Sequence, residues 1–176
     1  MLRVTDMNKE PWVEWRDVPH CEIADSQYAK YRLHIGDILV SRMADPGKAA
    51  IVEESVEAVF ASYLIRLNRT VEADSYFLFY TLRSDQYLAY AEGATGGTVQ
   101  ANMNAQVITA AEIVIPPENL RAQFGESVRP MRQKIVGNLQ HNRALAALRD
   151  ALLPQLMSGD LRLIEAEAKV DEVMAG

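Results

Sequence analysis

The spacing of the hydrophobic residues changes at Pro116 and Pro117, and the two sides predict different structures. Before these prolines, apolar and β-branched residues come in short runs bounded by Gly, Pro or charged residues, which is typical of strands. Two consecutive prolines interrupt a strand or a helix and suit the start of a new helix. The pattern therefore predicts a mixed α+β region over residues 1–117, with strands at 38–41, 49–52, 58–67 and 112–115.

Two short helices are predicted between the third and fourth of these strands. Leu, Tyr and Ala recur at helical spacing from Ala73 to Tyr90, and Ser84 followed by Asp85 is a typical start for the second helix. Helical spacing also favours core positions for the aromatic residues of this region, which are Tyr76, Phe77, Phe79, Tyr80, Tyr87 and Tyr90.

After the prolines, apolar residues recur at steps of three and four, which is typical of one face of a long amphipathic helix. A helix from about residue 118 to 157 would be roughly 60 Å long at 1.5 Å per residue. Because a domain of this size cannot cover a stripe of that length, we expect most of it to pack on another helix. The stripe begins at Leu120, and the predicted helix-pairing residues are Phe124, Val128, Met131, Ile135, Leu139, Asn142, Leu145, Leu148, Leu152 and Leu156.

Prolines and asparagines interrupt this stripe. Pro130 is expected to bend or split the helix, and Pro154 to distort its end. Asn138 and Asn142 are four residues apart near the stripe, and a buried Asn in a helix pair fixes register at a cost in stability. These two residues either help to set the pairing or face water. The Ser-Gly-Asp sequence at 158–160 is a helix stop signal.

The composition restricts the class of protein. The chain has 176 residues, 49% hydrophobic and 24% charged, which suffices for one ordinary domain and an appendage. No apolar run reaches the roughly 18 residues of a membrane span. The N-terminus lacks the apolar core of a secretory signal, so we expect a cytoplasmic protein. The single Cys21 excludes an internal disulfide, and the three histidines show no metal-ligand spacing.

Charge is distributed unevenly along the chain. The net charge is −6, which argues against a protein that coats nucleic acid through a uniformly positive surface. Residues 1–117 carry ten basic and sixteen acidic groups, whereas residues 118–164 carry seven basic and four acidic groups. A DNA contact in the first segment would therefore have to use a local basic patch on an acidic body.

One candidate patch lies at the turn between the first two strands. Gly47 and Lys48 resemble the end of a phosphate-binding loop, but Arg42 stands where a Walker A loop has its first glycine. Ala49 likewise stands where that loop has its hydroxyl. We instead expect a hairpin that turns on residues 45–47 and holds Arg42 and Lys48 near its tip. There both could neutralise phosphates, and Ser41 beside Arg42 could donate a hydrogen bond to a phosphate.

The segment after the second short helix is the candidate for reading bases. Glycines at 93, 96 and 97 would let the backbone approach phosphates closely. Beyond them, side chains that can hydrogen-bond to base edges alternate, so an extended chain would project them on one side. The alternative is an ordinary polar surface loop. The alternating residues are Thr98, Gln100, Asn102, Asn104 and Gln106.

Several segments, in this order, resemble the specificity subunit of type I restriction-modification enzymes. They are GDILVSR…GKAAIV, YLIRL, YFLFYTLRSDQY, GATGGTVQANMNAQVI, IVIPP before a long helix with an internal RPM, and LRDALLPQLMSGDLRL. Together they span most of residues 3–163, and the last is the most distinctive. The stretch LRVTDMNKE resembles an internal segment of that family. We therefore expect a natural truncation, or a fragment that lacks the first strands of its domain.

The resemblance implies an organisation and a role. In that family a target recognition domain reads one half of a split DNA site, and a long helix acts as a spacer and docks the modification subunits. Complete subunits contain two such halves with antiparallel helices, whereas this chain contains one. The implied organisation is a partial target recognition domain at 1–117, a spacer helix at 118–160 that pairs as an antiparallel coiled coil, and a tail at 161–176.

The implied partners are double-stranded DNA, methyltransferase and endonuclease subunits, and a second copy of the chain. No catalytic constellation is found here, so we expect a non-enzymatic chain without a cofactor, while the partners use S-adenosylmethionine, magnesium and ATP. Two alternatives remain open, an assembly protein that does not read DNA and an enzyme without a recognised motif. The predicted DNA-binding residues are Ser41, Arg42, Lys48, Gly97, Thr98, Gln100, Asn102 and Asn104.

Overall fold

The computed structural model describes residues 1–7, 9–67, 74–95, 102–160 and Val170. It divides into two compact units, residues 1–133 and 134–176. The α+β fold class expected from the sequence is confirmed, because a small antiparallel sheet is combined with helices, one of them long. The described strands are β1 (Ile38–Ser41), β2 (Ala49–Ile51) and β3 (Leu64–Leu67), and the described helices are α1 (Asp25–Tyr31), α2 (Asp74–Thr81), α3 (Asp85–Thr95), α4 (Ala105–Thr109) and α5 (Glu118–Ser158).

Strand β1 is the centre of the sheet and of the hydrophobic core. It pairs antiparallel with β2 on one side and β3 on the other, with Val40 opposite both Ala49 and Ile65. All four β1 residues are buried, as its unbroken run of mostly apolar residues indicates. Because side chains alternate across a strand, β1 separates two clusters. Ile38 and Val40 pack with residues of α2 and α3, and Leu39 packs with residues near the N-terminus.

The two helices predicted after the third strand are confirmed as α2 and α3. Ser84 lies immediately before α3, and its Oγ accepts a hydrogen bond from the Tyr87 backbone N–H at 3.3 Å. This is the expected N-cap, in which a hydroxyl satisfies a free donor of the first turn. Phe79 and Tyr87 are buried as predicted, whereas Tyr80 is exposed and meets the ring of Phe124 edge to face.

The strand predicted at 112–115 is wrong. The chain from 111 to 117 has no regular structure, and the side chains of Val114 and Ile115 are exposed. A β-branched run becomes a strand only where a neighbouring strand pairs with it. In the described part of the chain, no strand pairs with residues 112–115. The preceding residues instead form the short helix α4.

The strand predicted at 58–67 is regular only in its last four residues. The chain turns before them, where the Leu64 N–H donates to the Ala61 carbonyl at 2.9 Å. Val59 and Phe60 form isolated bridges rather than ladder pairs. Helix α1 was not predicted, because its seven residues are mostly polar and too few to show a period.

Helix α5 confirms the long helix predicted after the prolines, and neither internal proline splits it. Pro130 and Pro154 are exposed, as are Glu126 and Asp150, four residues before each of them. Water can therefore bond to the carbonyls that the prolines leave without an N–H donor. In the described ranges, no helix combines the length and the hydrophobicity needed to cross a bilayer.

Two arginines in the first turns of α5 form ion pairs with other residues of the same unit, residues 1–133. Arg121 forms an ion pair with Asp74. Arg132, 2% exposed, donates through Nε to a Glu53 carboxylate oxygen at 2.9 Å and through Nη2 to the Pro11 carbonyl at 2.8 Å. Burial lowers the pKa of Arg132, but hydrogen bonds and charge from Glu53 raise it above the ordinary value. The guanidinium therefore stays charged inside the protein.

We expect Glu53→Ala to destabilise the protein by about 3–5 kcal/mol, because it leaves the buried Arg132 charge without a counterion. Urea unfolding followed by circular dichroism measures this. The double variant Glu53→Leu/Arg132→Met should recover most of the loss, since it removes both charges. As a control, Asp150→Ala breaks an exposed pair with Arg149 and should cost about 0–1 kcal/mol. Equal losses in Glu53→Ala and Asp150→Ala would contradict the assignment.

Candidate nucleic-acid interface

The turn between β1 and β2 is closed by Ser41. Its backbone N–H donates to the Lys48 carbonyl at 2.9 Å, and its carbonyl accepts from the Gly47 N–H at 2.9 Å. Its hydroxyl donates to the Asp45 carbonyl and accepts from the Lys48 N–H at 3.1 Å. Ser41 is 0% exposed. The hydroxyl predicted to contact a phosphate is therefore buried, and it shapes the turn that carries Arg42 and Lys48.

Gly47 seats this turn against helix α3. Its φ is +85°, a conformation that L side chains rarely adopt, and a Cβ built on it would lie 2.5 Å from the Cβ of Ala91. Met103 and Tyr87 border the same position. Both the backbone conformation and the available space therefore require glycine at 47.

The second candidate segment meets the tip of this turn. The Met103 N–H donates to the Arg42 carbonyl at 2.8 Å, and Asn102 forms an antiparallel bridge with Met43. Met103 is fully buried beside Gly47, whereas Asn102 is exposed. The structure thus brings together two segments, about sixty residues apart in sequence, that the sequence identified separately.

Beyond Met103 the chain does not remain extended as far as the alternating pattern predicts. Asn104 caps helix α4, and its Oδ1 accepts from the Val107 N–H at 2.9 Å. Gln106 therefore lies on a helix and leaves the row. The side-chain oxygen of Asn104 is therefore occupied by the cap, a position that Asn favours strongly. Asn104 and Gln106 are both exposed.

The basic residues at the tip differ in their surroundings. Lys48 is half-buried. The Nε atom of Arg42 is buried, and among the described residues it has no hydrogen-bond partner. Gly97, Thr98 and Gln100, the other predicted DNA-binding residues, lie outside the described residues.

Tyr87 is buried next to the β1–β2 turn, and no pattern in the sequence indicated this contact. Its hydroxyl is buried, and within the described ranges it has no hydrogen-bond partner. Burial, with a smaller contribution from Tyr90, raises the pKa of Tyr87 to about 12. The ring packs beside Gly47 under the turn. Because it is buried, Tyr87 offers no surface on which a base could stack.

The predicted helix-pairing residues lie at different degrees of exposure along α5. Phe124, Met131 and Leu145 are 39%, 66% and 44% exposed. Leu152 is buried in a small cluster with Leu148, Leu156 and Val170. Val128, Ile135 and Leu139 are intermediate, and Asn142 is exposed. The stripe is therefore covered at its C-terminal end by Val170 and exposed at several earlier positions. Of the predicted tail, Val170 is the described residue.

Parts of the chain match two curated proteins. An 86-residue stretch, 48% of the chain, is 30% identical to the type I restriction enzyme HindI specificity subunit of Haemophilus influenzae. A 69-residue stretch, 39% of the chain, is 36% identical to the type I restriction enzyme MjaIX specificity subunit of Methanocaldococcus jannaschii. The resemblance to type I specificity subunits is confirmed. The matches span 19% and 16% of these relatives, less than a fifth of either specificity subunit. No family model matches the chain.

We expect Gly47→Ala to destabilise the protein by about 1–3 kcal/mol, because it adds a strained φ and a clash with Ala91. Gly93→Ala is the matched control. A Cβ at Gly93 meets nothing within 4 Å, and alanine favours the helix by up to about 1 kcal/mol. Urea unfolding should therefore give opposite signs for the two variants. A Gly47→Ala protein as stable as the original would contradict the close approach.

Proposed function

We propose that this chain is the DNA-reading and assembly part of a type I restriction-modification system. It reads one half of a split site and docks methyltransferase and endonuclease subunits. The observation that carries the proposal is the hydrogen bond from Met103 to the Arg42 carbonyl. It places a basic turn and an amide-bearing segment side by side, which is the combination that DNA reading needs.

The two sides of this interface have separate tasks. Lys48 and the guanidinium of Arg42 neutralise phosphates and fix the position of the protein on the duplex, which carries no sequence information. The amide side chain of Asn102 contacts a base edge, where Asn favours adenine. Asn104 contributes through its amide nitrogen, since its oxygen caps α4. Gly97, Thr98 and Gln100 extend the reading segment by the pattern of the sequence.

A DNA-reading chain would depend on its partner subunits for methylation and cleavage of the DNA. In the described part of the chain no group of three His, Cys, Asp or Glu residues could hold a metal ion. The methyltransferase and endonuclease subunits would bind S-adenosylmethionine, magnesium and ATP in the cytoplasm. The spacer helix α5 would carry the docking surface and would pair with α5 of a second copy to form a homodimer.

An assembly protein that pairs helices without reading DNA is the second candidate. The net charge of −6 favours it, because an acidic body opposes the approach of a duplex. The two candidates differ in one measurable property. A reader binds some duplexes more tightly than others and loses affinity steeply as salt rises, whereas a pure assembly protein binds none.

We expect Lys48→Ala to weaken duplex binding about equally for all sequences and to lower the salt slope by about 1, because one phosphate contact is lost. Fluorescence anisotropy with duplexes selected from a randomised pool, measured over a salt series, tests this. Lys9→Ala removes an exposed charge far along the sequence and should change neither value. Asn102→Ala should instead remove about 1–3 kcal/mol of discrimination at one base pair. If the unaltered protein binds no duplex, the assembly role replaces the reading role.

For the homodimer, we expect light scattering to give twice the mass of the 19.7 kDa chain at tens of micromolar. The exposed stripe residues Met131 and Leu145 favour association, because burying them removes apolar surface from water. Replacing both by Lys should yield a monomer with unchanged helix content. A monomeric unaltered protein at this concentration would contradict the homodimer.

A further inference from the structure

Most of the predicted helix-pairing residues of α5 fall in two rows in which residues return every seven positions. Leu139 and Leu148 lie beside the rows, and Asn138 and Arg149 complete them. Such rows lie side by side on one face of a helix and form the contact surface of a two-stranded coiled coil. The first row is Phe124, Met131, Asn138, Leu145 and Leu152, and the second is Val128, Ile135, Asn142, Arg149 and Leu156.

Two rows with the same seven-residue step can face each other antiparallel in several registers, one of which has its twofold axis at residue 140. Every residue of the first row has a counterpart in the second row that lies equally far from residue 140 on the other side. If two identical helices pair antiparallel around a twofold axis at residue 140, these counterparts face each other. The facing pairs are Phe124 with Leu156, Val128 with Leu152, Met131 with Arg149, Ile135 with Leu145, and Asn138 with Asn142.

We propose that α5 pairs with α5 of a second copy in this register, centred on residue 140. The proposal rests on the homodimer proposed above and specifies which residues meet in it. Asn138 and Asn142 are exposed, and within the described part of the chain their side chains have no hydrogen-bond partner. In this register each amide meets the amide of the other copy, and both donor and acceptor are satisfied.

Neighbouring registers lose this match. A shift by seven residues one way places Asn138 opposite Ile135 and Asn142 opposite Met131. A shift the other way places Asn142 opposite Leu145 and Asn138 opposite Arg149. Each shift leaves a buried amide against an apolar side chain, where its hydrogen bonds with water are lost and not replaced. The asparagines therefore select one antiparallel register, as polar residues in coiled-coil seams do.

A parallel pair would also bring each asparagine opposite its own copy, and Arg149 discriminates against it. Parallel pairing places Arg149 opposite Arg149, so two like charges meet in the seam. The antiparallel register places Arg149 opposite Met131, and the methylene stem of arginine covers the thioether while the guanidinium reaches water. The side chain of Arg149 is 66% exposed and paired with the adjacent Asp150, so its charged end already lies at the surface.

The three central layers carry the register. Val170 of the same chain packs on Leu152 and Leu156, which lie in the two outermost layers. Met131 with Arg149, Ile135 with Leu145, and Asn138 with Asn142 lie closer to the axis. These central contacts are therefore the ones to test.

Disulfide cross-linking in a Cys21→Ser background tests the register, because Cys21 is exposed and would otherwise react. Two cysteines bond only when their Cβ atoms are about 3.5–4.5 Å apart. Ile135→Cys/Leu145→Cys should give a covalent dimer of doubled mass on a non-reducing gel under mild oxidation. Three controls report the competing arrangements. Ile135→Cys/Asn138→Cys and Asn142→Cys/Leu145→Cys report the shifted registers, and Leu145→Cys alone reports parallel pairing.

An asparagine cycle provides an independent measurement. Asn138→Leu and Asn142→Leu should each weaken dimerisation several-fold in sedimentation equilibrium, because each leaves an amide opposite a leucine. The double variant should dimerise more tightly than either single variant, since no amide is left unpaired. Gln140→Leu, on the opposite side of the helix, is the control and should have little effect. Additive effects of the two substitutions would show that the asparagines do not face each other.

The outcomes separate the register from the proposed function. A dimer that cross-links through one of the control pairs overturns the register and leaves the homodimer intact. A monomer that pairs only with a helix of another polypeptide overturns both the register and the homodimer. DNA binding is measured on its own, so a failure to bind duplexes leaves the cross-linking result unaffected. Cross-linking of Ile135→Cys/Leu145→Cys, without cross-linking of the controls, supports the register.

Discussion

The contact of the β1–β2 turn with helix α3 is the constraint on which the candidate interface depends. Glycine at 47 lets the turn approach Ala91, and the turn then presents the Arg42 carbonyl to the Met103 N–H. Met103 is buried behind that bond, so Asn102 leaves the core next to the basic tip. A packing contact without any DNA chemistry thus sets the distance between the groups proposed to bind phosphates and to read bases. Pre-organisation of this kind avoids ordering both segments on binding.

Ion pairs account for part of the acidic composition. Glu53, Asp74, Asp37 and Asp6 are each paired with an arginine in the unit of residues 1–133. A paired charge acts at a distance as a dipole, whose field falls off faster than that of a free charge. Part of the negative charge is therefore compensated internally. Each pair cancels one positive and one negative charge, so the net charge of −6 is unchanged, and a duplex would still approach the basic tip against it.

The sequence predicted what depends on local pattern. The unbroken run of β1, the Ser84 cap and the long period of α5 are properties of neighbouring residues, and each was predicted from its spacing. The absence of a strand at 112–115 depends on which sheet edge is open, which no local pattern records. Local competition also explains Asn104. The alternating pattern suggested an extended segment, but the side chain caps helix α4.

The candidate site was predictable only in part, for a related reason. Arg42, Lys48 and Asn102 were identified by residue type, and the structure brings their segments together. Ser41 was assigned to a phosphate because hydroxyls donate to phosphates, but its burial reserves the hydroxyl for the turn. The Arg132–Glu53 pair spans nearly eighty residues and carries no sequence signal at all. The chemistry of side chains can therefore be predicted from one sequence, whereas their exposure and their long-range partners cannot.

The proposed homodimer would constrain the DNA that it reads. Two identical reading heads related by a twofold axis would meet identical half-sites in inverted orientation, because the symmetry of the protein is imposed on the duplex. In the proposed register, α5 would fix the separation of those heads, because a slip by one heptad shifts one helix along the other by about 10 Å at 1.5 Å per residue. That is about three base pairs along B-DNA. Asn138 and Asn142 in the seam would therefore lower the stability of the helix pair but fix the spacing between half-sites.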